Sequence, residues 1–215
     1  MSFGILVSAR LRQRGTLLAL IGLVAAGCSG QGQDLVVPAA QEPALAVIEQ
    51  PADLFEAPLG NVTPPWGSAT IRRSPTGVQV QLKVTDPILH AALAGNAITI
   101  WMASFNDPEA CETEGDICGF GDLFIPAVGG AIQRAGGQVL GSGPITLTFN
   151  VREGEAKEKL AGDAVGLLDA QNDEIHVIVL SHGAPIPGLV DDQIHTVDGA
   201  CNINTCVDAA VVVFR

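Results

Sequence analysis

The 215-residue chain contains no tyrosine, and aromatic residues make up only 4% of it. Sugar-binding platforms need exposed aromatic faces, so this scarcity argues against glycan recognition. Trp66 is the one tryptophan open to such a role, because Trp101 lies in a core-like apolar run. Basic residues are also scarce, with 11 Lys and Arg against 23 Asp and Glu. Arg10, Arg12 and Arg14 are the only charged residues before Cys28. The remainder therefore holds 8 basic and 23 acidic side chains, a net charge of −15. Nucleic acid and anionic headgroups repel such a surface, so no nucleic-acid partner is expected. No uncharged apolar run reaches the roughly 20 residues that span a bilayer as a helix. Ser181 has no Gly-x-Ser-x-Gly elbow, and Ser181 and His182 are consecutive, so on a strand they point to opposite faces. The acidic stretches lack the ligand ladder of an EF-hand. No fixed-period repeat is visible, which excludes a propeller or solenoid.

What is present begins with an export signal. The three arginines form a positive region, residues 16–26 are uncharged and apolar, and small residues follow. Leu23-Val-Ala-Ala-Gly-Cys28 resembles a bacterial lipobox, with Ala25 where that family usually has Leu. The resemblance implies cleavage before Cys28, acylation of its sulfur and its new amine, and stable membrane anchoring by the acyl chains. Ser29 after the cysteine resembles an outer-membrane destination in Gram-negative lipoproteins. Ordinary cleavage after Ala26, with Val24 and Ala26 as the small residues, is the alternative. The expected organisation is a signal peptide over 1–27, a lipidated Cys and Pro-rich tether over 28–66, and a folded domain over 67–215. Within the tether, Pro38, Pro43, Pro51, Pro58, Pro64 and Pro65 remove backbone donors and favour extended chain. Residues 35–37 and 45–48 are apolar enough to dock on the domain, with part of the tether as an edge strand.

Five cysteines is an awkward number for an exported protein. Lipidation of Cys28 leaves Cys111, Cys118, Cys201 and Cys206 in two local pairs, for which disulfides are the expectation in an oxidising compartment. Zinc is the competing reading, but intervals of six and four residues are not tight knuckles on both sides.

The folded part has period-two alternation. Val78, Val80, Leu82 and Val84 oppose Gln79, Gln81 and Lys83, and a Ser74-Pro-Thr-Gly77 turn joins them to residues 69–73 as a hairpin. Ile145, Leu147, Phe149 and Val151 alternate with polar residues in the same way. Segments 97–105, 174–180 and 209–214 are apolar on both faces and read as central strands. A further strand is expected within 131–140, and about two helical turns over 153–160. The fold class is therefore all-β: an antiparallel β-sandwich or partly open barrel with little helix.

The segment from Glu174 to Gly183 holds the main candidate site. On a strand, Glu174, His176, Ile178, Leu180 and His182 share one face, with Glu174 beside His176. A carboxylate beside an imidazole suits a structural hydrogen bond, a divalent metal of the copper or zinc type, or an acid–base pair. His182 is too far along a straight strand to share a metal with His176, whereas His195 could join either from the following loop. The apolar loop 186–190 is the wall of any pocket there. Around Cys111 and Cys118, Glu109, Glu112, Glu114, Asp116 and Asp122 read as a solvated acidic loop. The Trp101–Cys111 and Glu174–Gly183 runs, with Ile186-Pro-Gly-Leu-Val-Asp191, resemble uncharacterised secreted bacterial β proteins. That similarity implies export and a β fold, but no activity. The expectation is a non-enzymatic envelope lipoprotein that binds an envelope protein or small ligand. The alternative is a metal site built on Glu174, His176 and His195.

Overall fold

The alternating segment 77–84 folds as expected, and the sheet grows outward from it. In the computed structural model, which describes residues 47–56, 65–113, 115–155, 157–162, 166–197, 199–201 and 206–215, strands β2 (Gly67–Ser74) and β3 (Gly77–Val84) form an antiparallel hairpin closed at Ser74 and Gly77. Ser74 Oγ donates to the Gly77 carbonyl at 2.9 Å. Gly77 has φ +149°, and a Cβ there would lie 2.3 Å from the Val151 carbonyl of the next strand, so only glycine allows this approach. That neighbour is β6 (Thr146–Arg152), paired in register Val78↔Val151 through Lys83↔Thr146.

The other strands are β1 (Ile48–Glu56), β4 (Ala97–Phe105), β5 (Gly130–Val139), β7 (Lys159–Gly162), β8 (Glu174–Ser181) and β9 (Val207–Phe214). All pairings are antiparallel, in one nine-stranded sheet ordered β6-β3-β2-β1-β9-β8-β4-β5-β7. The sheet curls into a half-barrel, the partly open form of the expected all-β fold. The segments apolar on both faces, β4, β8 and β9, lie side by side within it. Their inward residues, including Ile98, Ile100, Met102, Ile175, Val177, Val179, Val212 and Phe214, share one buried core with Ile71, Val80, Leu82, Leu147 and Phe149 of the other half. Outward residues of β4 and β8, Trp101, Ala103, Phe105 and Leu180, form a second cluster with Cys118, Leu123 and Val128 of the segment before β5 and with Ile132 of β5. Period-two segments bury one face and apolar segments bury both, as burial of the pleat requires.

Two expectations need correction. Strand β1 falls inside the stretch read as tether. It pairs with β2 from Ile48 to Leu54, then passes to β9 at Phe55↔Val211 and Glu56↔Ala210, so the fold begins well before residue 67. Pro51 is tolerated because that part of β1 has a ladder partner on one side only. Residues 153–160 form no helix among the described positions. Gly154, at φ +71°, turns the chain, and Lys159 then pairs with Gln133 to begin β7. Among the described residues α-helix instead occurs in two short pieces, α1 (Pro87–Leu93) and α2 (Val190–His195). Asp86 caps α1 by accepting from the Ile88 and Leu89 amides at 2.8 and 2.9 Å, with Pro87 at its first turn and Leu89 and Leu93 buried. Cys28, the signal segment and tether residues 28–46 and 57–64 lie outside the described residues. Among the described residues no helix is long and apolar enough to cross a membrane.

Candidate functional site

Strand β8 aims Ile175, Val177 and Val179 at the main core, which leaves Glu174, His176, Ile178, Leu180 and His182 on the opposite face. A loop from Asn106 to Gly129 covers the Glu174 end. The Cys111–Cys118 disulfide closes that loop, with Cα atoms 5.5 Å apart. Asp122 organises it from inside: Oδ1 accepts from the Glu112 and Thr113 amides and Oδ2 from the Gly119 amide. Burial works to raise the Asp122 pKa, but the Thr113 side chain and these three amides outweigh it and hold it below the usual carboxylate value. The expected solvated acidic loop is found at Glu109, Glu112 and Asp116, which are exposed; Asp122 is the exception, and Glu114 lies outside the described residues.

Glu174 is buried at 2% exposure, and both of its oxygens are occupied. Oε1 accepts from the Cys118 amide at 2.7 Å and lies 2.6 Å from His176 Nε2; Oε2 accepts from Arg215 Nε at 3.0 Å. Burial acts to raise the Glu174 pKa, but His176, the Cys118 amide and Arg215 together leave it below the ordinary value. The His176 ring packs on Phe105, with centroids 4.8 Å apart. Two open hollows flank the group. One of about 240 Å³ is lined by Pro108, Glu109, Asn172, Glu174 and Arg215. The other, of about 350 Å³, lies between Phe55, Asp116, Ile117, Val213 and Arg215.

The other histidines go elsewhere. His182 is fully buried just past the end of β8. Its Nε2 lies 3.0 Å from Thr99 Oγ1, which also accepts from Trp101 Nε1 at 3.0 Å. Its Nδ1 lies 3.1 Å from the Gly199 carbonyl and 3.2 Å from Cys206 Sγ, beside the Cys201–Cys206 disulfide. Burial lowers the His182 pKa, against a smaller upward pull from the Gly199 carbonyl. His195 ends α2, with Nδ1 2.8 Å from the Asp191 carbonyl and 3.0 Å from Asp191 Oδ1. Among the described residues, no trio of metal-capable side chains includes Glu174, His176 or His195. The two trios present are His182 with Cys201 and Cys206, and Cys111 with Cys118 and Asp122. Residues 186–190 run into α2, with the Ile186 amide bound by buried Gln193, whose Nε2 also donates to the His182 and Ala184 carbonyls. Trp66 is partly buried against the main core, so it offers no open sugar platform.

Sequence reasoning missed Arg215, Gln193, Thr99 and a second buried charge. Arg73 is 2% exposed, and its Nη1 donates to the Ala170 and Asp173 carbonyls and its Nη2 to Gln50 Oε1. Beside it Asp173 is fully buried; Oδ2 accepts from the Leu168 and Asp169 amides while Oδ1 has no partner. Arg73 was readable only as an arginine interrupting the alternation of β2. Comparison with protein-family models, with curated proteins and with solved structures found no match to this chain.

Proposed function

We propose that this chain is a cell-envelope lipoprotein, anchored through Cys28, whose half-barrel is a non-enzymatic binding or structural module. The observation that carries the second part is the saturation of Glu174. An amide, an imidazole and a guanidinium already occupy its two oxygens, so it has the environment of a fastening point rather than of an acid–base catalyst. It ties the disulfide loop to β8 and to the C-terminal residue. Against the metal reading on Glu174, His176 and His195 stands the absence, among the described residues, of any metal-capable trio that includes one of them.

The anchor is tested by labelling cells with an acyl-chain probe. Incorporation in the wild-type chain, lost in Cys28→Ser, is the expected result; equal labelling of both, or none in either, overturns the lipoprotein reading. The module is tested on the oxidised chain. Loading with zinc or copper should leave a stoichiometry near zero, and His176→Ala should lower the melting temperature alone. One equivalent of metal removed by His176→Ala, or a turnover lost in that variant, would overturn it.

A further inference from the structure

We propose that His182, Cys201 and Cys206 form a redox-gated site for a soft, thiophilic metal ion of the Cu(I) or Zn(II) class. The site is distinct from the Glu174 group and independent of the function proposed above. One imidazole nitrogen and two sulfurs lie within 4.8 Å of one another, a donor set and size that suit soft metals. The second trio, Cys111, Cys118 and Asp122, has no such capacity, because three backbone amides occupy the Asp122 carboxylate. In the His182 trio the donors are placed differently. The imidazole is fully buried, whereas Cys201 and Cys206 are each only partly buried.

The surroundings of His182 suit either state. In the disulfide form, its Nδ1–H donates to the Gly199 carbonyl, and the Thr99 hydroxyl donates to Nε2. Trp101 Nε1–H donates to the same hydroxyl oxygen. In the metal-bound form the tautomer reverses. Nε2–H donates to Thr99 Oγ1, which has a second lone pair beside the one used by Trp101, and Nδ1 turns its lone pair to the metal. A hydroxyl that both donates and accepts is the partner this exchange requires. Outside the disulfide, Gln193 holds the histidine at its backbone carbonyl and Thr99 meets its ring at Nε2.

The chemistry balances with a dithiol as reductant. Two electrons and two protons from the dithiol open the Cys201–Cys206 bond to two thiols, and the donor leaves as its own disulfide. Metal binding then displaces the two thiol protons and places two thiolates and Nδ1 on the ion, with a coordination position left open.

The test uses the purified full chain, reduced anaerobically with a phosphine and titrated with Cu(I) and, separately, Zn(II). The expected result is one ion per chain with sulfur-to-metal charge-transfer absorption. Binding should persist in Cys111→Ser/Cys118→Ser, vanish in Cys201→Ser/Cys206→Ser, and be absent from the oxidised chain. Thr99→Val, which keeps all three ligands, should weaken binding about 10–100-fold through loss of ligand orientation. No binding by the reduced chain, equal binding by the oxidised chain, or binding that survives loss of Cys201 and Cys206 overturns the proposal. Should His182→Ala fail to fold, the Thr99→Val affinity decides the histidine's part: unchanged affinity excludes it.

Discussion

Asp173 sets a pH dependence opposite in sign to that of its buried neighbour Glu174. Burial is the largest influence on it and pushes its pKa from 3.8 to about 6, against the amides of Asp169 and Leu168. Between those values the folded state holds a proton that the unfolded chain has released, so stability falls as pH rises from about 4 to about 6. A rise of roughly two units corresponds to about 3 kcal/mol. Asp173→Asn keeps an acceptor for both amides and should flatten this slope in urea unfolding measured across the interval. Glu174 acts the other way: its pKa is lowered, so its contribution is present above the unfolded carboxylate value and is lost as pH falls through the folded one. Replacing it with Ala strands the Cys118 amide and removes the partner of Arg215, and should cost about 3 kcal/mol in the same assay at pH 7. The Glu174–His176 contact was legible because residues two apart share a strand face. Its remaining partners were not. Cys118 and Arg215 lie 56 and 41 residues away, and Thr99 lies 83 from His182, so only the folded sheet brings them together.

Among the elements, the legible ones were those with a repeating pattern. The 69–84 hairpin alternates and turns at Pro and Gly, and β4, β8 and β9 carry apolar residues on both faces, which must both be covered. Strand β1 has neither property. Pro51 interrupts it, Glu49, Asp53 and Glu56 charge it, and Leu54 is its one fully buried apolar side chain. Its strand character comes from β2 and β9, a tertiary effect that overrides local propensity. A chain beginning at residue 67 therefore leaves β2 and β9 with open edges. It should aggregate or lose cooperative unfolding, whereas one beginning at residue 43 should unfold as the longer chain does, followed by near-UV circular dichroism and thermal melts. Within β1, Leu54→Ala should cost about 2–5 kcal/mol, as expected for truncation of a fully buried side chain. Helices α1 and α2 escaped notice because seven and six residues are too short for a helical period to emerge.

For the whole molecule, charge and cross-links set the terms of stability. The chain is strongly acidic, with a net charge of −12 over its full length. Among the described residues most cations are committed: Arg73 is buried, Arg72 pairs with Glu49, Arg134 with Glu158, Arg152 and Lys157 with Glu155, and Arg215 with Glu174. Self-repulsion then outweighs surface pairing, so added sodium chloride should raise the melting temperature at pH 7 by screening it. A melting temperature that fell with salt would mean that surface ion pairs dominate instead. The two disulfides close short loops, with sequence separations of 7 and 5, and chain entropy assigns each roughly 2–2.5 kcal/mol.

The position of β1 also orders events in time. Its pairing with β2 is local and can form as soon as the first hairpin emerges. Its pairing with β9 joins Phe55 to Val211, so the loop to be closed is nearly the whole domain. Until β9 docks, β8 and the last two residues of β1 each lack a neighbour, and the main core lacks Val212 and Phe214. The half-barrel closes only when β9 docks, and Arg215, bonded to Glu174 and through its carbonyl to Gln50, fastens the residue after β9 to both sides of the seam.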